Sequence, residues 1–389
     1  MRTIAIVHNH ILPLPAVKGG GIETLIESLI KENEEKKKVK FLIFSPYDRN
    51  AEIESKKYKY SKFIYIKTPY LLHAFFRLLV DRFLHRILRL NYLIDYAHYF
   101  FAYRKVKKEK IDVLIFDSLS CAGYKMFKKI APNNMIYYSH VFEKPDTPVI
   151  MYDRVITISE FCKKPWLKWL DNDKISVLRN GINLNEFNKD FSVEERNVMR
   201  NKFSVSEEDF LLIYCGRIVE SKGVKELIDA VLGIDDYHIK LMIVGDFKES
   251  VGLKSEYISA IKNNINKACK RVFLTGYIKN NELYKYYKMA DLQVVPSICE
   301  EAAGLVAIEG MACGLPLIVT NSGGMPEYVG DKAAIVIDKD DNMVEKLKNA
   351  ILEIKDNPQK KEKLSFEGRK RALMFGSSKY YENFINSLR

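Results

Sequence analysis

No apolar run in this sequence approaches the ~18 residues that a membrane-spanning helix requires, so helical integral-membrane architectures are not expected. The six cysteines (Cys121, Cys162, Cys215, Cys269, Cys299 and Cys313) are scattered, with no C-x-x-C pair. That argues against a zinc site or a disulfide framework and for reduced, packed thiols. A G-x-G-x-x-G is missing too, which counts against a nicotinamide dehydrogenase. The triplets Asp171-Asn172-Asp173 and Asp338-Lys339-Asp340 do not sit at strand ends and read as turns, so no metal is expected. Repeats, low-complexity tracts and nucleic-acid-binding motifs are equally lacking. The opening run Ile4-Ala5-Ile6-Val7 is too short for a signal peptide, and the cytosol is the expected compartment.

What is present is an ordinary globular composition, 47% hydrophobic and 29% charged, over 389 residues. That length is too great for one core, and two domains are expected. The net charge of +12 favours anionic partners: nucleotide sugars, acidic lipid headgroups or nucleic acid. Charge alone does not choose among them.

The chain is organised around Asp291–Glu327. An apolar strand (Leu292, Val294, Val295) breaks at Pro296-Ser297 and is followed by Glu300-Glu301 and the small-residue turn Ala302-Ala303-Gly304. A helix from Leu305 to Cys313 is stopped by Gly314 and Pro316. A second strand, Leu317–Thr320, leads into Asn321-Ser322-Gly323-Gly324. This is a βαβ unit with its polar residues at the strand ends, where open α/β sheets bind ligands. Free amides at a helix start suit an anion, and Glu301 and Glu309 can both face the same crevice. Amides beside carboxylates suit a sugar nucleotide; the alternative is a loop Glu and a helix-surface Glu, both facing solvent.

The spacing Glu301-x7-Glu309, with Gly304 inside it and Ala312-Cys313-Gly314-Leu315-Pro316, Gly323-Gly324 and Pro326-Glu327 after it, resembles the donor-site segment of retaining glycosyltransferases of the GT-B fold. It is most similar to family 4, which includes bacterial sugar transferases and sucrose and trehalose synthases. The resemblance implies that Glu309 binds the ribose hydroxyls and Glu301 the transferred sugar, with amides near Gly304, Leu305 and Val306 on the diphosphate. The run Gly216-Arg217-x4-Lys222-Gly223 also matches the family, and two cations at a strand end suit a diphosphate leaving group. Without the match they would be unremarkable loop cations. Tyr277 and Ile278 fall at the turn that touches the nucleotide base in the family. Gly20 and Gly21, in a glycine loop before a helix, match the loop facing donor diphosphate and acceptor. His140 ends a strand where the family places a histidine on the donor sugar.

Elsewhere, apolar runs at residues 41–44, 63–66, 113–116, 135–138 and 155–158 read as strands of a first sheet, closed by the last of them. The segment Tyr70–Lys110 carries nine Lys/Arg against three acids, with apolar residues near helical spacing. It reads either as a pair of core helices with basic backs or as a helix on an anionic membrane surface. A polar helix over 194–203 is expected outside the core, and the chain from Asp340 reads as a solvated helical layer.

The expected architecture is α/β, two Rossmann-like parallel-sheet domains facing across a cleft, spanning 1–170 and 171–375, with 376–389 crossing back to the first. The expected activity is retaining, metal-independent and cofactor-free transfer of a hexose or N-acetylhexosamine, from a nucleotide sugar with UDP favoured, to a glycan or lipid-linked hydroxyl. Arg217, Lys222, Glu301 and His140 would be the catalytic group, in the cytosol or on the inner face of the plasma membrane. A sugar-nucleotide epimerase and a basic nucleic-acid-binding module are the alternatives.

Overall fold

The computed structural model describes residues 1–9, 11–68, 96–117, 124–131, 133–143, 152–247, 255–268 and 270–388. The chain divides into two compact units, Met1–Asn180 with Ser377–Arg389, and Gly181–Gly376.

The first unit holds a seven-stranded sheet of β1 (Thr3–Val7), β2 (Lys40–Pro46), β3 (Ser61–Ile66), β4 (Val113–Phe116), β5 (Met135–Tyr138), β6 (Arg154–Thr157) and β7 (Ile175–Val177), in the order β3-β2-β1-β4-β5-β6-β7. Every pairing is parallel. Parallel strands are covered on both faces, which is why they read as unbroken apolar runs; Ile4 to Val7 and Val113 to Phe116 are at most 1% exposed. Helix α1 (Gly21–Lys36) buries Leu25, Ile26, Leu29 and Ile30, one stripe at helical spacing. The C-terminal helix, Ser377–Ser387, buries Tyr380, Tyr381 and Phe384 in this same unit. Its tyrosine hydroxyls are satisfied by Tyr138 at 2.7 Å and by Asn33 at 2.5 Å.

Two expectations change here. β7 pairs with β6 and completes the sheet, so the strand at 155–158 does not close it. The division between units accordingly falls at Asn180-Gly181 instead of 170/171. Of the basic segment, residues 70–95 lie outside the described residues. Its last part forms α2 (Tyr96–Val106), which buries Tyr99, Ala102 and Val106 with Phe116 and Phe127. That part is a core helix.

The second unit holds β8 (Phe210–Cys215), β9 (Ile239–Val244), β10 (Val272–Gly276), β11 (Leu292–Val295), β12 (Leu317–Thr320) and β13 (Ala334–Ile337), ordered β10-β9-β8-β11-β12-β13 and all parallel. The helices that matter below are α3 (Val193–Asn201), α4 (Val224–Leu232), α5 (Asn280–Met289), α6 (Leu305–Ala312) and α7 (Met343–Asp356). α3 starts in a Ser192/Glu195 capping box. It is polar but not outside the core: Arg200 is 1% exposed and bonds the carbonyls of Met289, Ser206 and Asp209. Nor is α7 simply a solvated layer, since Met343, Leu347, Ala350, Ile351 and Ile354 are buried.

Both sheets have the doubly wound order in which the strand sequence reverses beside the first strand. Each therefore has a switch point, β1/β4 in one and β8/β11 in the other. Loops leaving the two strands diverge there and open a crevice at their carboxyl ends.

Candidate active site

At the β8/β11 switch point the loop after β8 meets the loop after β11. The first carries Arg217, then a single 3-10 turn, Glu220–Lys222, ended by Gly223 in the left-handed region at φ 67. A Cβ on Gly223 would stand 1.9 Å from the Pro296 carbonyl oxygen, so only glycine lets these two loops touch. The touch places Lys222 Nζ on Glu301 Oε1 at 2.5 Å, with side chains 21% and 16% exposed. Ser297 Oγ donates to the same oxygen. The Glu301 backbone is fixed from the other side: its carbonyl accepts from Gly324 N at 2.7 Å and its N–H donates to Ser322 Oγ at 3.2 Å. Gly323, at φ 53, leaves room for that backbone, because a Cβ would lie 2.3 Å from the Glu301 carbonyl oxygen. The glycine pair of the sequence motif thus aims the glutamate.

Arg217 is exposed, and its guanidinium has no hydrogen-bond or ion-pair partner among the described residues. Gly216, at φ 152, ends the strand in front of it. Gly304 caps α6 without any side-chain hydrogen bond to the first turn. The amides of Leu305 and Val306 are among those a helix start leaves without an intrahelical acceptor. The switch point therefore offers one free guanidinium, one ammonium, uncapped amides and an oriented carboxylate.

Glu309 lies on α6, one turn in, and has a different partner from Glu301. Its Oε2 accepts from the Tyr287 hydroxyl of α5 at 2.8 Å. Burial pushes the Glu309 carboxyl up to about 7, against the pull of that hydrogen bond. Cys215, at the end of β8, is pushed up to about 12 by burial and by the Glu309 carboxylate. Tyr277 follows β10 with 68% of its surface exposed, and Ile278 packs in part against the core cluster that contains Tyr287.

The first unit has its own polar cluster at the β1/β4 switch point. His8 follows β1 and is fully buried; its Nδ1 bonds Asp117 Oδ2, after β4, and its Nε2 lies 3.2 Å from Glu23 Oε1 on α1. Burial would lower the His8 pKa, but the two carboxylates outweigh it and raise it to about 9, so this imidazole is a cation at neutral pH. Gly20, at φ 106, caps α1, and Gly21 opens it. His140, two residues beyond β5, is 7% exposed, and neither ring nitrogen has a hydrogen-bond partner among the described residues. Burial, aided by the His8 cation, lowers its pKa to about 4 against the pull of Asp117 and Glu23, and leaves it neutral.

Of the residues singled out in the sequence, the fold brings Lys222 and Glu301 into contact and sets Arg217, Gly216, Gly304, Leu305 and Val306 at the same end of the second sheet. Sequence reasoning missed His8, Glu23, Asp117, Ser297 and Tyr287. The signal for His8 and Asp117 was a histidine and an aspartate at the ends of two apolar runs, legible only once those runs are neighbours. A cavity of about 460 Å³ in the second unit lies elsewhere, at the amino-terminal ends of β11 and β12. Its central Asp291 is already bound by Arg196, Arg200 and Lys361. No candidate group lies in it.

Residues 195–371 match the family described as Glycosyl transferases group 1. The chain is 34% identical to an uncharacterized glycosyltransferase of Methanocaldococcus jannaschii, over 45% of this chain and 44% of that protein. It is 26% identical to the lipopolysaccharide 1,2-N-acetylglucosaminetransferase of Salmonella typhimurium, over 58% and 59%. To the alpha-monoglucosyldiacylglycerol synthase of Acholeplasma laidlawii it is 25% identical, over 72% and 71%. The chain thus spans about half the length of the first two of these curated relatives. Among solved structures it is similar to a glycosyltransferase from Rickettsia africae, with TM-score 0.78 and 18% identity over 100% and 97% of the two chains. It is also similar to Anabaena HepE in complex with UDP and glucose, with TM-score 0.73 and 15% identity over 100% and 99%. These likenesses give the GT-B fold, and the match to the group 1 glycosyl transferases is confined to residues 195–371.

Proposed function

We propose that the chain transfers a hexose or N-acetylhexosamine, with retention, from a UDP-sugar to a hydroxyl of a glycan or lipid-linked acceptor. The observation that carries this reading is the Lys222–Glu301 contact beside the unpartnered Arg217. One strand end then offers a carboxylate for sugar hydroxyls and two cations for a diphosphate. Breaking the anomeric C–O bond leaves negative charge on the diphosphate. Arg217, Lys222 and the uncapped amides of α6 would stand where that charge develops, which is the arrangement that lowers such barriers. This reading needs no divalent metal, because the protein supplies the positive charge. The relatives named above, a lipopolysaccharide sugar transferase and a glycolipid synthase, support a cell-surface acceptor, and the HepE complex supports UDP. Its place would be the cytosolic face of the membrane, where the net charge of +12 favours an anionic surface.

The test is release of UDP from a panel of UDP-sugars, with and without acceptor glycolipids, for wild type, Lys222→Ala and Glu301→Ala. Lys222→Ala is expected to lower kcat by about 10²–10³-fold. Glu301→Ala should cost roughly 10- to 100-fold, the worth of a hydrogen bond to a charged group. A wild type that neither binds nor turns over any nucleotide sugar refutes the proposal.

A further inference from the structure

Among the described residues the Glu309 carboxylate has one hydrogen bond, and it comes from a residue that no motif marks. Tyr287 is 0% exposed and directs its hydroxyl from α5 to Glu309 Oε2 at 2.8 Å. The other oxygen, Oε1, accepts no hydrogen bond among the described residues. We propose that Tyr287 is a positioning residue for nucleotide recognition: its hydroxyl holds one oxygen of Glu309 and leaves the other for a ribose hydroxyl. The inference rests on the reading of Glu309 as the ribose-binding group.

The physical need is clear from what surrounds the carboxylate. Cys215 faces it from the end of β8, and Glu186, in the short helix Leu184–Phe187, adds a second negative charge. Burial and Glu186 both favour the protonated acid; the Tyr287 hydroxyl is the group that opposes them. A protonated Glu309 would offer a single donor where a ribose diol needs an acceptor. An ionised one, with Oε2 occupied, presents Oε1 in a fixed direction. The Tyr287 hydroxyl stays protonated, and so remains a donor, because burial and the neighbouring Cys215 and Glu309 drive its ionisation far up.

The experiment follows the Glu309 carboxyl by carbon-13 NMR and UDP affinity by calorimetry between pH 5.5 and 9, for wild type, Tyr287→Phe and Glu309→Gln. Melting temperatures control for folding, and ADP and GDP serve as alternative probes. In wild type the carboxyl titrates near 7 and affinity falls as pH drops through that value. In Tyr287→Phe both midpoints move up together by about one unit, the equivalent of one lost charge-directed hydrogen bond. Affinity at pH 7 then weakens about fivefold while staying near wild type at pH 9. Glu309→Gln gives weak, pH-independent binding. Affinity lost equally at all pH values, with the carboxyl midpoint unmoved, makes Tyr287 mere packing and overturns its role alone. A carboxyl midpoint that moves in a protein binding no nucleoside diphosphate overturns the recognition role and the proposed function together.

Discussion

The two sheets carry the same device at the same topological place and use it differently. At β1/β4 a cation from one loop, His8, meets a carboxylate from the other, Asp117; at β8/β11 Lys222 meets Glu301. The first pair is sealed, with both side chains at 0% exposure, and the third charge of Glu23 closes around it. The second pair keeps 21% and 16% of its side-chain surface open and has an unpartnered arginine beside it. A sealed pair holds loops; an open one is free to exchange partners. The difference follows from side-chain length and loop size: an imidazole on a strand end is enclosed by sheet and helix, whereas a lysine on a 3-10 turn reaches the edge.

The sharpest way to break this comparison is to remove the cation from each pair and measure stability in urea. His8→Leu strands two buried carboxylates and should cost about 3–5 kcal/mol, as breaking a buried pair does. That cost depends on pH. The His8 pKa is raised from 6.5 to about 9 by folding, so its contribution is full below 6.5 and lost as pH rises through 9. The gap between wild type and His8→Leu should narrow over that window, and a gap that stays constant contradicts a charged His8. Next in size is Gly223→Ala, where a left-handed residue and the Pro296 carbonyl oppose any Cβ; about 1–3 kcal/mol is expected, with transfer reduced because Lys222 is displaced. Smallest is Lys222→Ala itself: a pair this open should contribute less than about 1 kcal/mol. Large loss of transfer with small loss of stability at Lys222, and the reverse at His8, would sharpen the contrast; equal stability costs would erase it.

Much of this was readable beforehand. Among the described residues most of the thirteen parallel strands are apolar runs that local composition betrays, and the stretch from Asp291 to Glu327 carries its turns, helix stop and carboxylates in one continuous piece. The edge strand Ile175–Val177 is harder to place, because three residues leave almost no periodic signal. Arg200 looked like surface because its partners, chiefly backbone carbonyls, have no sequence signature. His8, Asp117 and Glu23 are separated by up to 109 residues, and Tyr287 and Glu309 by 22. Such groups become a site only through strand order and helix packing, which no window of the chain contains.

The helix Ser377–Ser387 also bears on how the polypeptide is made. Because Tyr380, Tyr381 and Phe384 fill the core of the amino-terminal unit, that unit lacks part of its interior until residues 377–387 have been translated. The uninterrupted segment Gly181–Gly376 suffers no such delay. The half of the molecule synthesised first is therefore the half completed last, and its apolar sheet face must wait, partly uncovered, through the synthesis of everything in between.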